Sequence, residues 1–153
     1  MLKIGKYNFE ETWENRMTSL MYFEADEDES AQWSVDIAFK DGEYEGEQIS
    51  PRLCINPIDT EKNSVEELVG EEFEAEDIET CEDREDTFYI YEHEPMCNFK
   101  VKLIEIDGDK AHVVGSGALI VDGYADPYKV DNFEFDSWVP IILSKEDWAK
   151  YEK

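Results

Sequence analysis

Two histidines carry the side chains best suited to acid–base chemistry in this chain. His93 lies in the run Glu92-His93-Glu94, which places an imidazole between two carboxylates. His112 precedes Ser116 by four residues, and a glycine stands on each side of that serine. A nucleophile elbow instead needs Gly-x-Ser-x-Gly between a strand and a helix. We therefore predict no catalytic serine and treat His93, Glu92, Glu94 and His112 as alternative acid–base residues.

The sequence offers ligand types for a metal ion but no ligand spacing that fits one. Cys54, Cys81 and Cys97 form no Cys-x-x-Cys pair, and with His93 they match no structural zinc pattern. The acidic run from Asp26 lacks the glycine that a calcium loop carries at its sixth position. We therefore predict no metal and no cofactor. The odd cysteine count, without an apolar export signal, predicts reduced thiols and a cytoplasmic location.

Carboxylates dominate the composition and exclude several classes of partner. The 153 residues carry 40 Asp and Glu against 14 Lys and Arg, a net charge of −26 and a pI near 4.1. Such a surface repels phosphate, so direct nucleic-acid binding lacks its main attractive contribution. Anionic membrane surfaces are disfavoured for the same reason, and the aliphatic runs are too short to span a bilayer.

Half of the excess negative charge falls in one segment. Residues 64–94 hold 14 acids and one base, a net −13 out of −26. Val65, Leu68 and Phe73 punctuate this segment, so we predict a charged face of the fold and not a solvated tail. The expected binding face comprises Glu66, Glu67, Glu71, Glu72, Glu74, Glu76 and Asp77. A secondary patch comprises Glu24, Asp26, Glu27, Asp28 and Glu29.

Strand patterns dominate the elements that must position these side chains. Residues 33–39 alternate apolar with small or polar residues, and Asp41-Gly42 predicts a turn into a return strand over 44–49. Residues 52–58 and 87–91 are further strand segments. A last strand over 132–143 carries alternating apolar positions.

The clearest unit is a hairpin from Phe99 to Val121. Asp107-Gly108-Asp109 supplies its turn. The apolar parity shifts at Ile104, which predicts a β-bulge, and the Gly115-Ser116-Gly117 run predicts a second kink or bulge.

Helix signals are few. Capping-box spacing predicts short helices near 64–69 and 145–152, whereas the alternation over 71–79 favours a strand. The whole chain, 1–153, is expected to be a single mainly-β domain. It would form an antiparallel β-sandwich or partly open barrel of about seven or eight short strands with two short helices.

The charge leads to the preferred functional hypothesis, a non-enzymatic protein that engages or masks a basic protein partner. By physical type alone, the chain resembles small bacterial immunity proteins, which mask basic nuclease toxins, and nucleic-acid mimics. The partner would then be a toxin or a nucleic-acid-binding protein. The alternative is a small-ligand or hydrolytic domain with a His/carboxylate site inside the barrel. Partner identity and oligomeric state stay open.

Overall fold

The computed structural model describes residues 1–151. Within them, strands alternate with short turns in the order β1 Leu2–Ile4, β2 Tyr7–Phe9, β3 Glu11–Thr12, β4 Ser19–Phe23, β5 Ala31–Phe39, β6 Gly42–Tyr44, β7 Glu47–Ile49, β8 Arg52–Thr60, β9 Glu72–Ala75, β10 Thr87–Tyr89, β11 His93–Asp107, β12 Lys110–Asp122 and β13 Lys129–Ile142. The helical elements are α1 Ile78–Arg84 and 3₁₀ helices at Glu14–Arg16, Glu66–Leu68 and Lys145–Lys150.

Seven of these strands close into a mixed barrel. The hydrogen-bonded order is β12-β11-β10-β8-β5-β4-β13, and β13 pairs with β12 to complete the circle. The β13–β4 pairing is parallel, and the other pairings around the barrel are antiparallel. Extra strands lie outside this circle, with β1 on β13, β9 on β11 and β3 on β5. The mainly-β, barrel-type prediction is therefore confirmed.

Two long strands change neighbours along their length and join the sheets. β11 pairs with β10 over 93–95 and with β9 over 99–102. β13 pairs with β1 over 133–135 and with β4 over 141–142. Pro140 is the last residue of β13 that pairs with β12, and the pairing with β4 begins at the next residue, Ile141.

The interior of the barrel is filled by apolar side chains. Trp33, Val35, Phe88, Leu103 and Val113 are among its fully or almost fully buried members. Burying a large apolar side chain of this kind contributes ~1.5–3 kcal/mol. Alternation along β13 buries its inward residues as predicted, including the two phenylalanines and the serine of that face.

Three local predictions meet different outcomes in the strands. The bulge predicted at Ile104 is confirmed, because the β11–β12 register shifts between Leu103 and Glu105. The alternative of a bulge at 115–117 is wrong, since the pairing register is regular there. A Cβ atom on Gly117 would overlap the carbonyl oxygen of Asn98, so this glycine permits close strand approach.

The turn predicted at Asp41-Gly42 is also wrong. β5 pairs with β4 and β8, and β6 pairs only with β7 in a small separate hairpin. The turn of that hairpin is Glu45-Gly46, whose φ angles are 50° and 86°. Two successive positive φ angles are what a tight two-residue hairpin requires.

The two predicted short helices form as 3₁₀ helices inside their expected ranges, and residue 152 of the second range lies outside the described residues. The strand favoured over 71–79 ends already at Ala75. α1 follows from Ile78, and the sequence patterns do not predict this helix. Asp77 begins this helix by accepting a 2.8 Å hydrogen bond from the Thr80 amide, and Glu85 ends it at φ 61°. Among the helices of residues 1–151, none has the length and apolar character to cross a membrane.

Candidate functional site

The two predicted acidic segments come together at one side of the barrel. Ser30 Oγ and Gln32 Nε2 both donate to Asp59 Oδ1, at 3.1 and 3.0 Å. These bonds join the chain directly after the secondary patch, residues 24–29, to β8. The Tyr22 hydroxyl donates to the carbonyl of Lys62 at 2.8 Å. Burial raises the pKa of Tyr22, and the charges of Glu24 and Glu67 raise it further. Carboxylates 43 positions apart in sequence therefore face the same hydroxyl.

An open groove of about 730 Å³ lies at this junction. We call it the acidic groove, and its lining residues are Ser30, Asp59, Thr60, Glu61, Lys62, Asn63, Glu67 and Glu71. Glu71 accepts a 2.9 Å hydrogen bond from Thr60 Oγ1, and Glu67 accepts one of 2.7 Å from the Asn63 amide. Both carboxylates are thereby held in place by the chain around them.

The remaining members of the predicted face point elsewhere. Glu72 and Glu74 lie on the outer side of β9, where Lys100 Nζ is 3.0 and 3.7 Å from their carboxylates. Hydrogen bonding to Glu72 and the charges of both glutamates raise the pKa of Lys100. Glu76 is exposed, and Asp77 caps α1. The structure thus separates the Glu67 and Glu71 carboxylates of the acidic groove from the two glutamates of β9, which share the charge of Lys100.

The secondary patch is an ordered turn. Asp26 Oδ1 accepts hydrogen bonds of 2.8 Å from the amides of Asp28 and Glu29. These bonds hold the pKa of Asp26 below its usual value. Residues 24–29 are all exposed, so Glu24, Glu27 and their neighbours present their carboxylates to solvent.

Both histidines lie on the outside of the barrel. His93 is exposed, and its ring centroid is 5.0 Å from that of Tyr89. His112 Nε2 is 2.6 Å from Asp136 Oδ1, and its ring stacks on Trp138 at 5.0 Å. The alternation of β12 turns Val113 to the interior and His112 outward. Neither imidazole is therefore placed in the interior site that the alternative function would use.

The two carboxylates beside His93 form a pair of their own. Tyr124 donates its hydroxyl to Glu92 Oε2 at 2.7 Å. The pKa of Glu94 rises to about 7, because it hydrogen bonds to Glu92, is partly buried, and faces the charges of Glu92 and Asp122. The same hydrogen bond lowers the pKa of Glu92.

Exposed tyrosines gather around this pair. Tyr91, Tyr124 and Tyr128 are 43%, 81% and 49% exposed. The Tyr91 hydroxyl hydrogen bonds to Glu47, which ties the loop before β11 to the β6–β7 hairpin. We call this region the tyrosine end, and it comprises Tyr91, Tyr124 and Tyr128 with Glu45, Glu47, Glu92, Glu94, Asp122, Asp126, Lys129 and Asp131. Sequence patterns do not reveal it, because its members come from three separate turns.

A second aromatic cluster lies at the opposite end of β12 and β13. Trp13, Trp138, Trp148 and Tyr151 line a groove of about 1180 Å³ there, and we call this region the tryptophan end. Trp13 Nε1 donates to the Trp138 carbonyl at 3.1 Å, and the rings of Trp13 and Tyr151 meet edge to face at 5.4 Å. Lys110 Nζ lies 5.7 Å from the centre of the Trp13 ring.

The cysteines are free thiols in the barrel wall and in α1. Burial is the main cause that raises the pKa of Cys54 and of Cys81 to about 12 each, and it also raises that of Cys97. These thiols stay protonated near neutral pH and are poor nucleophiles. Over residues 1–151, no group of three or more His, Cys, Asp or Glu side chains is arranged to hold a metal ion.

Comparison with known proteins adds no relative to this geometry: no family model, no curated protein and no solved structure matches the chain.

Proposed function

We propose that this protein is a non-enzymatic binding protein that presents carboxylates to a basic protein partner. The observation that carries the proposal is that Glu24 of the secondary patch and Glu67 of the acidic groove both lie near enough to Tyr22 for their charges to raise its pKa. A basic toxin or a basic nucleic-acid-binding protein is a partner of the right charge. Complementary charge steers such partners into fast encounter and suppresses wrong ones.

The energetic cost of the arrangement supports this proposal. A net charge of −26 on one small domain disfavours the compact state by self-repulsion. Bringing carboxylates of distant segments to one side of the barrel adds to that repulsion. Solubility requires only that charge be dispersed over the surface. Concentrated negative charge repels itself, and a partner with a cationic surface would compensate that repulsion. The His/carboxylate alternative has no comparable support, because His93 and His112 lie outside the barrel.

A pull-down with charge-matched variants tests the proposal. The groove variant is Glu61→Gln and Glu67→Gln in the lining of the acidic groove, combined with Glu24→Gln in the secondary patch. The control variant is Glu105→Gln, Glu134→Gln and Asp136→Asn, none of which lines the groove. Both variants change the net charge by the same amount. The immobilised protein is incubated with native lysate, and bound proteins are eluted with graded salt.

We expect wild type and the control variant to retain a basic protein that elutes as salt rises, because salt screens exposed charges. The groove variant should retain much less of it. Recovery of no basic protein at low salt would overturn the proposal.

A further inference from the structure

The tyrosine end exposes more aromatic surface than its surroundings explain. Tyr124 is 81% exposed, although a tyrosine in a single soluble domain gains stability mainly by burying its ring. Tyr128 and Val130 are 49% and 45% exposed, and Tyr91, in the turn before β11, is 43% exposed. Tyrosine is enriched among the residues that dominate protein–protein binding energies. An exposed aromatic cluster of this kind is typical of a docking surface.

Two of these rings are held in position before any partner arrives. Tyr124 is fixed by its 2.7 Å hydrogen bond to Glu92, and Tyr91 by its hydrogen bond to Glu47. The Glu94 carboxylate packs against the backbone of Gly123, since a Cβ atom added to this glycine would lie 2.5 Å from Glu94 Oε1. Side chains that are already ordered lose less conformational entropy on binding. The rings are therefore preorganised for a ligand.

The charge around the rings selects the sign of that ligand. The tyrosine end contains seven carboxylates and one lysine, and Lys129 is paired with Glu45. Glu92 and Glu94 raise the pKa of the Tyr124 hydroxyl, through the hydrogen bond that this hydroxyl donates to Glu92 and through the negative charges of both carboxylates. A cation that approaches the ring thus meets both a π face and carboxylates at the ring edge.

We propose that the tyrosine end binds arginine side chains of a basic protein partner. This inference rests on the proposed function and names the contact surface and the partner chemistry. A guanidinium stacks flat on an aromatic face and donates a pair of hydrogen bonds to a carboxylate. Stacked on Tyr124, it lies within reach of Glu92. A lysine ammonium is compact and strongly hydrated, so it matches this combination less well.

Titration with two peptides of equal charge tests the proposal. Octa-arginine and octa-lysine are added to the full chain, and binding is followed by calorimetry and by NMR shifts of the tyrosine ring signals. The variants are Tyr91→Ala, Tyr124→Ala and Tyr128→Ala combined, and the same three positions changed to Phe. Circular dichroism confirms that each variant is folded.

We expect octa-arginine to bind more tightly than octa-lysine. The triple alanine variant should weaken octa-arginine binding by at least about tenfold, because each exposed cation–π contact contributes ~2- to 5-fold in affinity. The triple phenylalanine variant keeps the π faces but loses the hydroxyl bonds that order two of the rings, so its affinity should lie between those of wild type and the alanine variant. The shifts should centre on Tyr91, Tyr124 and Tyr128.

Four other results would overturn the inference. Equal binding of the two peptides, or binding that the alanine variant leaves unchanged, would contradict the tyrosine end while leaving the proposed function standing. Loss of peptide binding only in the groove variant of Glu24, Glu61 and Glu67 would likewise contradict the tyrosine end and leave the proposed function standing. Failure of both peptides to bind at low salt would count against the proposed function as well.

Discussion

The two ends of the β12–β13 pair use aromatic side chains in different ways. At the tryptophan end the Trp13 ring packs edge to face on Tyr151, and its indole donates a hydrogen bond to the Trp138 carbonyl. The Trp138 ring stacks on His112. At the tyrosine end the rings of Tyr124 and Tyr91 reach into solvent, and only their hydroxyls are tied down. β12 spans 13 residues, so the ends lie on the order of 40 Å apart at ~3.3 Å per residue.

The charges of the two ends also differ. The groove at the tryptophan end is lined by Arg16, Lys40 and Lys150 together with Glu11 and Glu14. The tyrosine end has one lysine against seven carboxylates.

The comparison teaches that the role of an aromatic residue depends on what its ring faces. Rings that pack against other rings stabilise the fold and dock the 3₁₀ helix Lys145–Lys150. Rings beside carboxylates and water are available to a cationic partner. Stability and binding should therefore respond separately to changes at the two ends.

The largest expected effect on stability is at the tryptophan end. Trp13→Ala removes a half-buried indole, its hydrogen bond and its contact with Tyr151. Full burial of a Trp would make the loss ~3–5 kcal/mol, and partial exposure reduces our expectation to about 2 kcal/mol of unfolding free energy. Urea unfolding measures it, with Tyr91→Ala as the control at the other end. A control loss as large as that of Trp13→Ala would break the distinction between the ends.

A smaller effect separates two tyrosines near the same end. Tyr44 is 1% exposed, and its hydroxyl donates to Asp131 Oδ2 at 2.7 Å. Burial and this hydrogen bond raise its pKa. Tyr44→Phe should cost about 1.5 kcal/mol because a buried charge-assisted hydrogen bond is lost. Tyr124→Phe, whose hydroxyl bond is exposed, should change the unfolding free energy by less than ~0.5 kcal/mol. Equal losses in thermal unfolding would contradict this contrast.

The smallest effect is the pH dependence of the Glu92–Glu94 pair. The pKa of Glu94 in the folded protein is about 7, above its ordinary value of 4.5. The folded state therefore holds more protons than the unfolded state between these values, so this carboxyl's contribution to stability is full below pH 4.5 and is lost as the pH rises through 7. Carboxyl-carbon NMR should show a Glu94 midpoint near 7 that falls in Glu92→Gln. A wild-type midpoint at the ordinary value would contradict the pairing.

Local patterns in the sequence predict much of the fold and little of the candidate site. The alternation in β5 and β13, the turn at Gly108 and the parity shift at Ile104 are visible in the sequence because each depends on residues close in the chain. The sequence does not reveal the Glu45-Gly46 turn, since Asp41-Gly42 has the stronger local turn composition. It does not reveal α1 either, because the Glu-rich alternation continues past Ala75 to Asp77, the capping residue of this helix.

The sequence by itself determines that this protein is mainly β and strongly acidic. It also places half of the excess negative charge in residues 64–94, which hold 14 acids and one base. Only the tertiary structure decides which carboxylates stand together. It separates Glu72 and Glu74, which share the one positive charge of Lys100, from Glu67, which lines the acidic groove and acts with Glu24 on the Tyr22 hydroxyl. It also assembles the tyrosine end from three distant turns. The physical reason is that strand periodicity depends on neighbouring residues, whereas charge clusters and exposed rings depend on the barrel closure that brings remote segments together.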